Sequence, residues 1–178
     1  MSYTDFLESK TQSGADFGFS PKFMPACTFD FQASLIEYAV QKGRAAIFAD
    51  CGLGKTLMEL AWAENVCRQT MGNVLILTCI AVAAQMEQEA EKFGIGVKRS
   101  NDGTAHRITI TNYEKLHLFN PQDFAGVVCD ESSILKNFQG TRKTEITAFL
   151  RHRPYRLLAT ATAAPNDFIE LGTSSEAL

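Results

Sequence analysis

Ile47-Phe48-Ala49-Asp50-Cys51-Gly52-Leu53-Gly54-Lys55-Thr56 is the stretch whose reading decides the fold. The apolar run Ala45 to Phe48 reads as a buried strand. Behind the turn comes Leu57-Met58-Glu59-Leu60-Ala61-Trp62-Ala63, a run rich in apolar residues and good helix formers. Strand, two-glycine turn, Lys-Thr and helix are the surroundings a phosphate-binding loop needs. Gly52 and Gly54 let the backbone curl until its N–H groups point inward, and the helix N-terminus adds partial positive charge. The Lys55 ammonium reaches the β- and γ-phosphates of a nucleotide, and the Thr56 hydroxyl can ligate Mg²⁺. The strict pattern opens on glycine, whereas Ala49 stands at that position. The bland alternative is a strand-to-helix turn that happens to contain Gly-Lys-Thr.

On either side, strand and helix signals alternate. Asp30 is placed to cap a helix through Val40, with an apolar stripe at Phe31, Leu35, Ile36, Ala39 and Val40 and a stop at Gly43. Gln32 on that helix is either an amide that reads donor and acceptor on adenine or an exposed helix glutamine. After a helix from 55 to about 69, Val74 to Thr78 is a continuous β-branched apolar run, a buried parallel strand. Val82 to Phe93 reads as a helix ended by Gly94. A short strand follows near Val97-Lys98, then a strand at Arg107 to Thr111 and a short helix from Asn112 to Leu116. Thr141 to Leu150 is a helix and Tyr155 to Thr160 the last clear strand, with a further helix opening at Phe168. The alternation predicts an α/β fold: a parallel sheet with helices on both faces. Residues 1–28 form an N-terminal arm packed on the domain, with a short helix between Tyr3 and Lys10, and residues 29–178 form the domain itself.

Gly126-Val127-Val128-Cys129-Asp130-Glu131 is the second decisive stretch, a strand ending in two carboxylates. Parallel strands carry functional groups at their carboxyl ends, beside the phosphate loop. Asp130 there holds Mg²⁺ through water, and Glu131 orients or deprotonates the attacking water. The alternative is an acidic pair that caps the next helix.

Composition sets bounds rather than a function. The 178 residues suffice for one domain with a real core, and 46% hydrophobic with 21% charged residues is ordinary for a globular protein. A net charge of −3 gives no global basic signature of nucleic-acid binding. No apolar run approaches the roughly 20 residues of a membrane-spanning helix, and Met1-Ser2-Tyr3-Thr4-Asp5 lacks the basic and apolar regions of a signal peptide. Cys27, Cys51, Cys67, Cys79 and Cys129 form no Cys-x-x-Cys pair and read as reduced, buried thiols of a cytoplasmic protein.

Taken together and in order, these stretches resemble the first, RecA-like motor domain of a superfamily 2 helicase or translocase. The likeness spans roughly residues 29 to 172 and is closest in kind to the Swi/Snf-type branch and to helicase-like proteins of bacteriophages. Phe29-Asp30-Phe31-Gln32 resembles the adenine-reading Q motif, and Ala49 to Thr56 resembles motif I. Leu77 to Gln85 resembles motif Ia, and Ile110-Thr111-Asn112-Tyr113-Glu114 resembles motif Ib. Asp130-Glu131-Ser132-Ser133, with Leu135-Lys136-Asn137, resembles motif II. Ala159-Thr160-Ala161-Thr162, with Pro165-Asn166, resembles motif III. Ser132-Ser133 stands where Ala-His or Ala-Asp is usual, and motif Ia lacks a proline and an arginine seen in many relatives.

The resemblance implies a P-loop NTPase fold that uses ATP and Mg²⁺. Lys55, Asp130 and Glu131 would be catalytic; Gln32 and Gly52, Leu53, Gly54, Lys55, Thr56 and Leu57 would hold the nucleotide; Thr56 and Asp130 would hold the metal. Thr160 and Thr162 would couple the nucleotide state to nucleic acid, which Thr78, Gln85, Thr111 and Asn112 would contact on its sugar-phosphate backbone. The implied partners are nucleic acid, double-stranded DNA by analogy, and a second motor domain that supplies arginine fingers; no membrane is implied, and the phage likeness points to the cytoplasm of a bacterial host. Nothing after Thr162 is long enough to be that second domain, so this reading is of a lone first domain, a fragment, or a subunit whose partner supplies the rest, slow or inactive by itself. A P-loop ATPase of another class and a non-catalytic nucleotide-sensing module are the competing readings.

Overall fold

The apolar runs become strands buried on both faces, and the glycine punctuation becomes the turns between them. The computed structural model describes residues 16–132 and 141–161, the side chains of 141–143 apart. The order is α1 (Asp30–Lys42), β1 (Arg44–Phe48), α2 (Lys55–Thr70), β2 (Asn73–Thr78), α3 (Ile80–Lys92), β3 (Lys98–Arg99), β4 (Ile108–Asn112), β5 (Phe124–Cys129), α4 (Thr141–Arg151) and β6 (Tyr155–Thr160). Two 3₁₀ turns, Tyr113–Leu118 and Pro121–Asp123, join β4 to β5. The six strands form one sheet in the order β1-β6-β5-β2-β4-β3, and every pairing is parallel. All strands therefore end on the same edge, which gathers the residues after β1, β2, β4, β5 and β6.

Each face has its own core. Along β2, Ile76 joins a cluster with Ile36, Met58, Trp62 and Met86, whereas Leu75 and Leu77 join Leu116, Phe149 and Leu158 on the opposite face. Because successive strand residues serve two different cores, the sequence shows a continuous apolar run and no alternation. Helices α1, α2 and α3 cover the first face; α4 and the Tyr113–Leu118 turn cover the second. Helix α2 is the deepest element: every residue from Leu57 to Cys67 is buried.

Several boundaries differ from the sequence reading. The cap of α1 is Phe29, with extended φ −72° and ψ 155°, and Asp30 is the first helical residue. Gln32 takes over part of the capping by accepting the Phe29 N–H on Oε1 at 3.0 Å. Helix α3 begins at Ile80 rather than Val82, the 97–98 strand shifts by one, and β5 ends at Cys129, which leaves Asp130 and Glu131 in a turn. Cys27 and Cys51 are exposed, so the reading of all five thiols as buried is corrected; Cys67 and Cys129 are buried, and burial pushes each of them up to about 12. The expected Tyr3–Lys10 helix, the helix at Phe168 and Thr162 fall outside the described residues.

The described part of the arm runs against the domain. Phe17, Gly18 and Phe19 donate their N–H groups to the carbonyls of Lys42, Gln41 and Val40 at the end of α1. A side chain at Gly18 would lie 1.8 Å from the Val40 oxygen, so only glycine allows this approach.

Candidate functional site

The candidate phosphate loop closes on itself. Gly52 (φ +81°) and Gly54 (φ +78°) take the left-handed conformation that lets residues 50–54 curl back over the start of α2. Lys55 folds its ammonium back into this curl, donating to the Ala49 carbonyl at 2.9 Å and the Asp50 carbonyl at 3.3 Å. The Asp50 carboxylate caps the turn by accepting the Cys51 N–H at 2.7 Å. The cation is thus tethered by weak carbonyl bonds beneath the amides of the loop, where a phosphate can replace them with charge-assisted ones.

Gln32 is 5% exposed, which removes the reading of an exposed helix glutamine. Besides the Phe29 contact, its Nε2 donates to the Leu53 carbonyl at 2.9 Å. The amide therefore ties α1 to the middle of the phosphate loop, and a side chain at Gly54 would meet Nε2 at 2.4 Å. Phe29 and Phe31 stack next to it with centroids 6.2 Å apart, both largely exposed.

The acidic pair sits where the parallel topology predicts. Asp130 follows β5, and its N–H still donates to Leu77 on β2 at 2.9 Å. Its carboxylate accepts the Thr78 hydroxyl on Oδ2 at 2.6 Å, and its carbonyl accepts the Tyr113 hydroxyl at 2.7 Å. Burial pushes the Asp130 carboxyl above its ordinary value, with the Thr78 bond opposing that rise. Glu131 turns at φ +50°, a conformation that costs a non-glycine residue about 1 kcal/mol or more. Its Oε1 accepts the Thr160 hydroxyl at 2.6 Å. Thr160 also accepts the Ala49 N–H on its carbonyl at 3.2 Å, so β6 bridges the acidic turn to the phosphate loop.

One member of this constellation was not singled out from the sequence. Glu59, on the first turns of α2, is wholly buried, and neither carboxyl oxygen makes a hydrogen bond of ordinary geometry. Burial, then the neighbouring Asp130, hold its carboxyl well above the usual carboxylate range, and Lys55 and Glu131 also act on it. The available signal was an acid inside an apolar run, four residues after Lys55 and so on the same helical face.

Of the residues read as nucleic-acid contacts, Thr78, Thr111 and Asn112 are neighbours at the paired carboxyl ends of β2 and β4, and Gln85 lies on α3. Thr78 and Thr111 are buried, the first committed to Asp130 and the second with its hydroxyl facing the interior. Thr111 is in register with Leu77 and Thr78 with Asn112, so the two threonines point to opposite faces of the sheet. Asn112 caps the following 3₁₀ turn by accepting the Lys115 N–H at 3.0 Å. Gln85 is exposed on α3 and donates to Glu89 at 2.8 Å. A groove of about 600 Å³ between the Tyr113–Leu118 turn and α4 lies apart from the phosphate loop.

The residues fit a magnesium nucleotide: an inward-curled glycine loop, a lysine held only by carbonyls, and a buried carboxylate oriented by a threonine. Among the described residues, no group of three or more acidic, histidine or cysteine side chains is arranged to hold a metal without a ligand's help. No helix among them is long and apolar enough to cross a membrane.

No family model matches the sequence, and no curated protein matches it. Solved structures do. The UvsW helicase of bacteriophage T4 superposes over 98% of this chain with a TM-score of 0.68 at 14% identity. The SWI2/SNF2 ATPase core of Sulfolobus solfataricus, solved in complex with double-stranded DNA, superposes over 90% with a TM-score of 0.71 at 20% identity. The Hef helicase domain of Pyrococcus furiosus superposes over 83% with a TM-score of 0.67 at 14% identity. The fold is the RecA-like α/β fold of these structures, with six parallel strands between layers of helices. The chain spans 65% of the UvsW structure and 37% and 36% of the other two.

Proposed function

We propose that this chain is the ATP-binding motor domain of a DNA helicase or translocase. The observation that carries the reading is the three-point wiring at the carboxyl edge of the sheet. Lys55 lies under the phosphate loop, Thr78 holds Asp130, and Thr160 joins Glu131 to β6. The loop amides and Lys55 take the phosphates of ATP, and Thr56 with Asp130 holds Mg²⁺. Mg²⁺ supplies charge neutralisation on the transferring phosphoryl group. Glu131 orients water and accepts its proton, and Phe29, Phe31 and Gln32 flank the side on which a base would lie. Thr160 passes the state of Glu131 to the strand from which motif III continues.

A second motor domain completes the site, since an arginine finger is worth about 10³ to 10⁵ in rate. The isolated chain binds nucleotide and turns it over slowly or not at all. The double-stranded DNA in the SWI2/SNF2 neighbour and the exposed α3 surface around Gln85 support a DNA partner reached through backbone amides.

The test is titration calorimetry of this chain with ADP and with ATP in Mg²⁺, alongside Lys55→Ala. Binding by the wild type that falls by at least about 10-fold in the variant supports the reading, since a charged hydrogen-bond partner is worth roughly 1.5–3 kcal/mol. Equal affinity of the two proteins overturns the phosphate-loop assignment.

A further inference from the structure

Three strand ends reach the turn that carries the acidic pair. Thr78 at the end of β2 holds the Asp130 carboxylate, and Thr160 at the end of β6 holds the Glu131 carboxylate. Tyr113, directly after β4, donates its hydroxyl to the Asp130 carbonyl at 2.7 Å. β4 and β5 flank β2 in the sheet, so the tyrosine reaches past β2 to make this bond. It does so inside the second core, beside Leu77 and Cys129, and is itself 4% exposed. The two threonines end on side chains, whereas Tyr113 ends on the backbone. The Asp130 carbonyl shares one rigid plane with the Glu131 N–H, because the peptide bond between them does not rotate. Fixing that carbonyl therefore sets the direction of the Glu131 N–Cα bond, and φ at Glu131 is +50°. A residue with a Cβ keeps such a conformation only where its surroundings hold it. Glycine adopts it freely, but this position uses the carboxylate that Thr160 grips.

We propose that Tyr113 is a positioning residue for Glu131, acting through the Asp130 carbonyl. This rests on the nucleotide reading above, in which Glu131 orients the attacking water. With the hydroxyl in place, the peptide plane between Asp130 and Glu131 is held and the Glu131 carboxylate stays bonded to Thr160. Without it, the turn relaxes toward an ordinary negative φ, and the carboxylate swings away from Thr160 and from the water. Asp130 keeps its own place, because Leu77 still takes its N–H and Thr78 its carboxylate. Lys55 and the loop amides do not touch Tyr113 or its acceptor. The grip on the nucleotide is therefore separable from the aim of Glu131.

Tyr113→Phe keeps the ring in the core and removes only the hydroxyl. The experiment places it in a cycle with Thr160→Val and follows urea unfolding of the whole chain without nucleotide. Thr160→Val lowers the urea midpoint of the otherwise wild-type chain. In the Tyr113→Phe background that shift falls to less than about half, because the bond it removes is already lost. Equal shifts in the two backgrounds overturn the proposal, since a hydroxyl that only adds stability gives that result. Thr160→Ala replaces Thr160→Val if the double variant does not fold. A Tyr113→Phe chain that does not fold assigns the hydroxyl to structure alone and also overturns the proposal. The second arm compares the wild type with Tyr113→Phe in Mg²⁺. ADP affinity by calorimetry stays within about threefold, whereas single-turnover ATP hydrolysis falls by at least about tenfold. An unchanged rate overturns the proposal, as does a loss of affinity equal to the loss of rate. If the wild type binds nucleotide without turning it over, the urea cycle alone decides. Absence of binding by the wild type removes the nucleotide reading itself, and the cycle still decides whether Tyr113 holds the turn.

Discussion

The Thr160 hydroxyl donates to Glu131 Oε1 at 2.6 Å, joining the end of β6 to the turn that follows β5. β6 lies between β1 and β5 in the sheet, and the Thr160 carbonyl takes the first N–H of the phosphate loop, that of Ala49. A change at Glu131 is therefore felt at the loop through a single residue. Thr160→Val keeps the shape and removes the hydroxyl. Nucleotide affinity is expected to stay within about threefold, because Lys55 and the loop are untouched. Single-turnover phosphate release is expected to fall by about 10²-fold, at the low end of what a positioned general base contributes. Unchanged release in quench-flow measurements would separate Glu131 from the chemistry.

The two loop glycines differ in what surrounds them, and that difference is measurable. A side chain at Gly52 meets nothing within 4 Å, so Gly52→Ala carries only the left-handed backbone cost of about 1–2 kcal/mol. A side chain at Gly54 meets Gln32 Nε2 at 2.4 Å as well. Gly54→Ala is expected to destabilise more than Gly52→Ala in urea unfolding. The double variant Gly54→Ala with Gln32→Ala is expected to be less destabilised than the sum of its two single changes. Strict additivity would mean that the amide does not brace the loop.

Glu64 and Arg107 give the domain an acid-sensitive fastening. Burial raises the Glu64 carboxyl, but the bonds from Arg107 and Arg68 outweigh it, and the net shift is below the ordinary value of 4.5. A carboxyl lowered in the folded state binds fewer protons there than when unfolded. The stability it contributes is complete above pH 4.5 and is lost as pH falls through its folded value. Arg107 is half exposed, so the pair is partly screened. Arg107→Ala is expected to cost about 1–3 kcal/mol at pH 7, and the deficit relative to wild type is expected to shrink below pH 4.5. A deficit constant between pH 7 and pH 3 in denaturant titrations would assign the loss to packing of the arginine stem.

The fold was readable because its signals are local. Four of the six strands, β1, β2, β5 and β6, are apolar runs between punctuating residues, and Gly43 (φ +68°) and Gly94 (φ +68°) stop helices where the sequence places them. The two-glycine turn after β1 and the acidic pair after β5 were readable as places because each is marked by particular residues at short spacing. What was not readable depends on contacts distant in sequence. Gln32 reaches Leu53 across 21 positions, and Thr78 reaches Asp130 across 52. Thr111 sits in register with Leu77, inside the sheet, whereas its place in a motif suggested a surface hydroxyl. Glu59 passed unremarked within an apolar-rich helical run, and its burial shows only once α2 is seen to be enclosed on every side.

Asn65 fastens the arm to the deepest helix. Its Oδ1 accepts the N–H groups of Lys22 at 2.6 Å and Phe23 at 2.9 Å, and its Nδ2 donates to the carbonyls of Phe23 and Ala61 at 2.8 Å each. The side chain is 0% exposed, so no water can replace it without rearrangement. Asn65→Asp keeps the acceptor for both amides but places a second oxygen against the Phe23 and Ala61 carbonyls. Asn65→Ala loses every bond yet introduces no repulsion and no charge. The acidic variant is therefore expected to be the less stable of the two at pH 7, with Asn65→Ala itself destabilised by about 2–3 kcal/mol. In both, amide hydrogen exchange at Lys22 and Phe23 should quicken more than exchange in β2. Equal acceleration in the arm and in β2 would mean that residues 22–23 unfold only with the whole domain and that Asn65 is a core residue rather than a clasp.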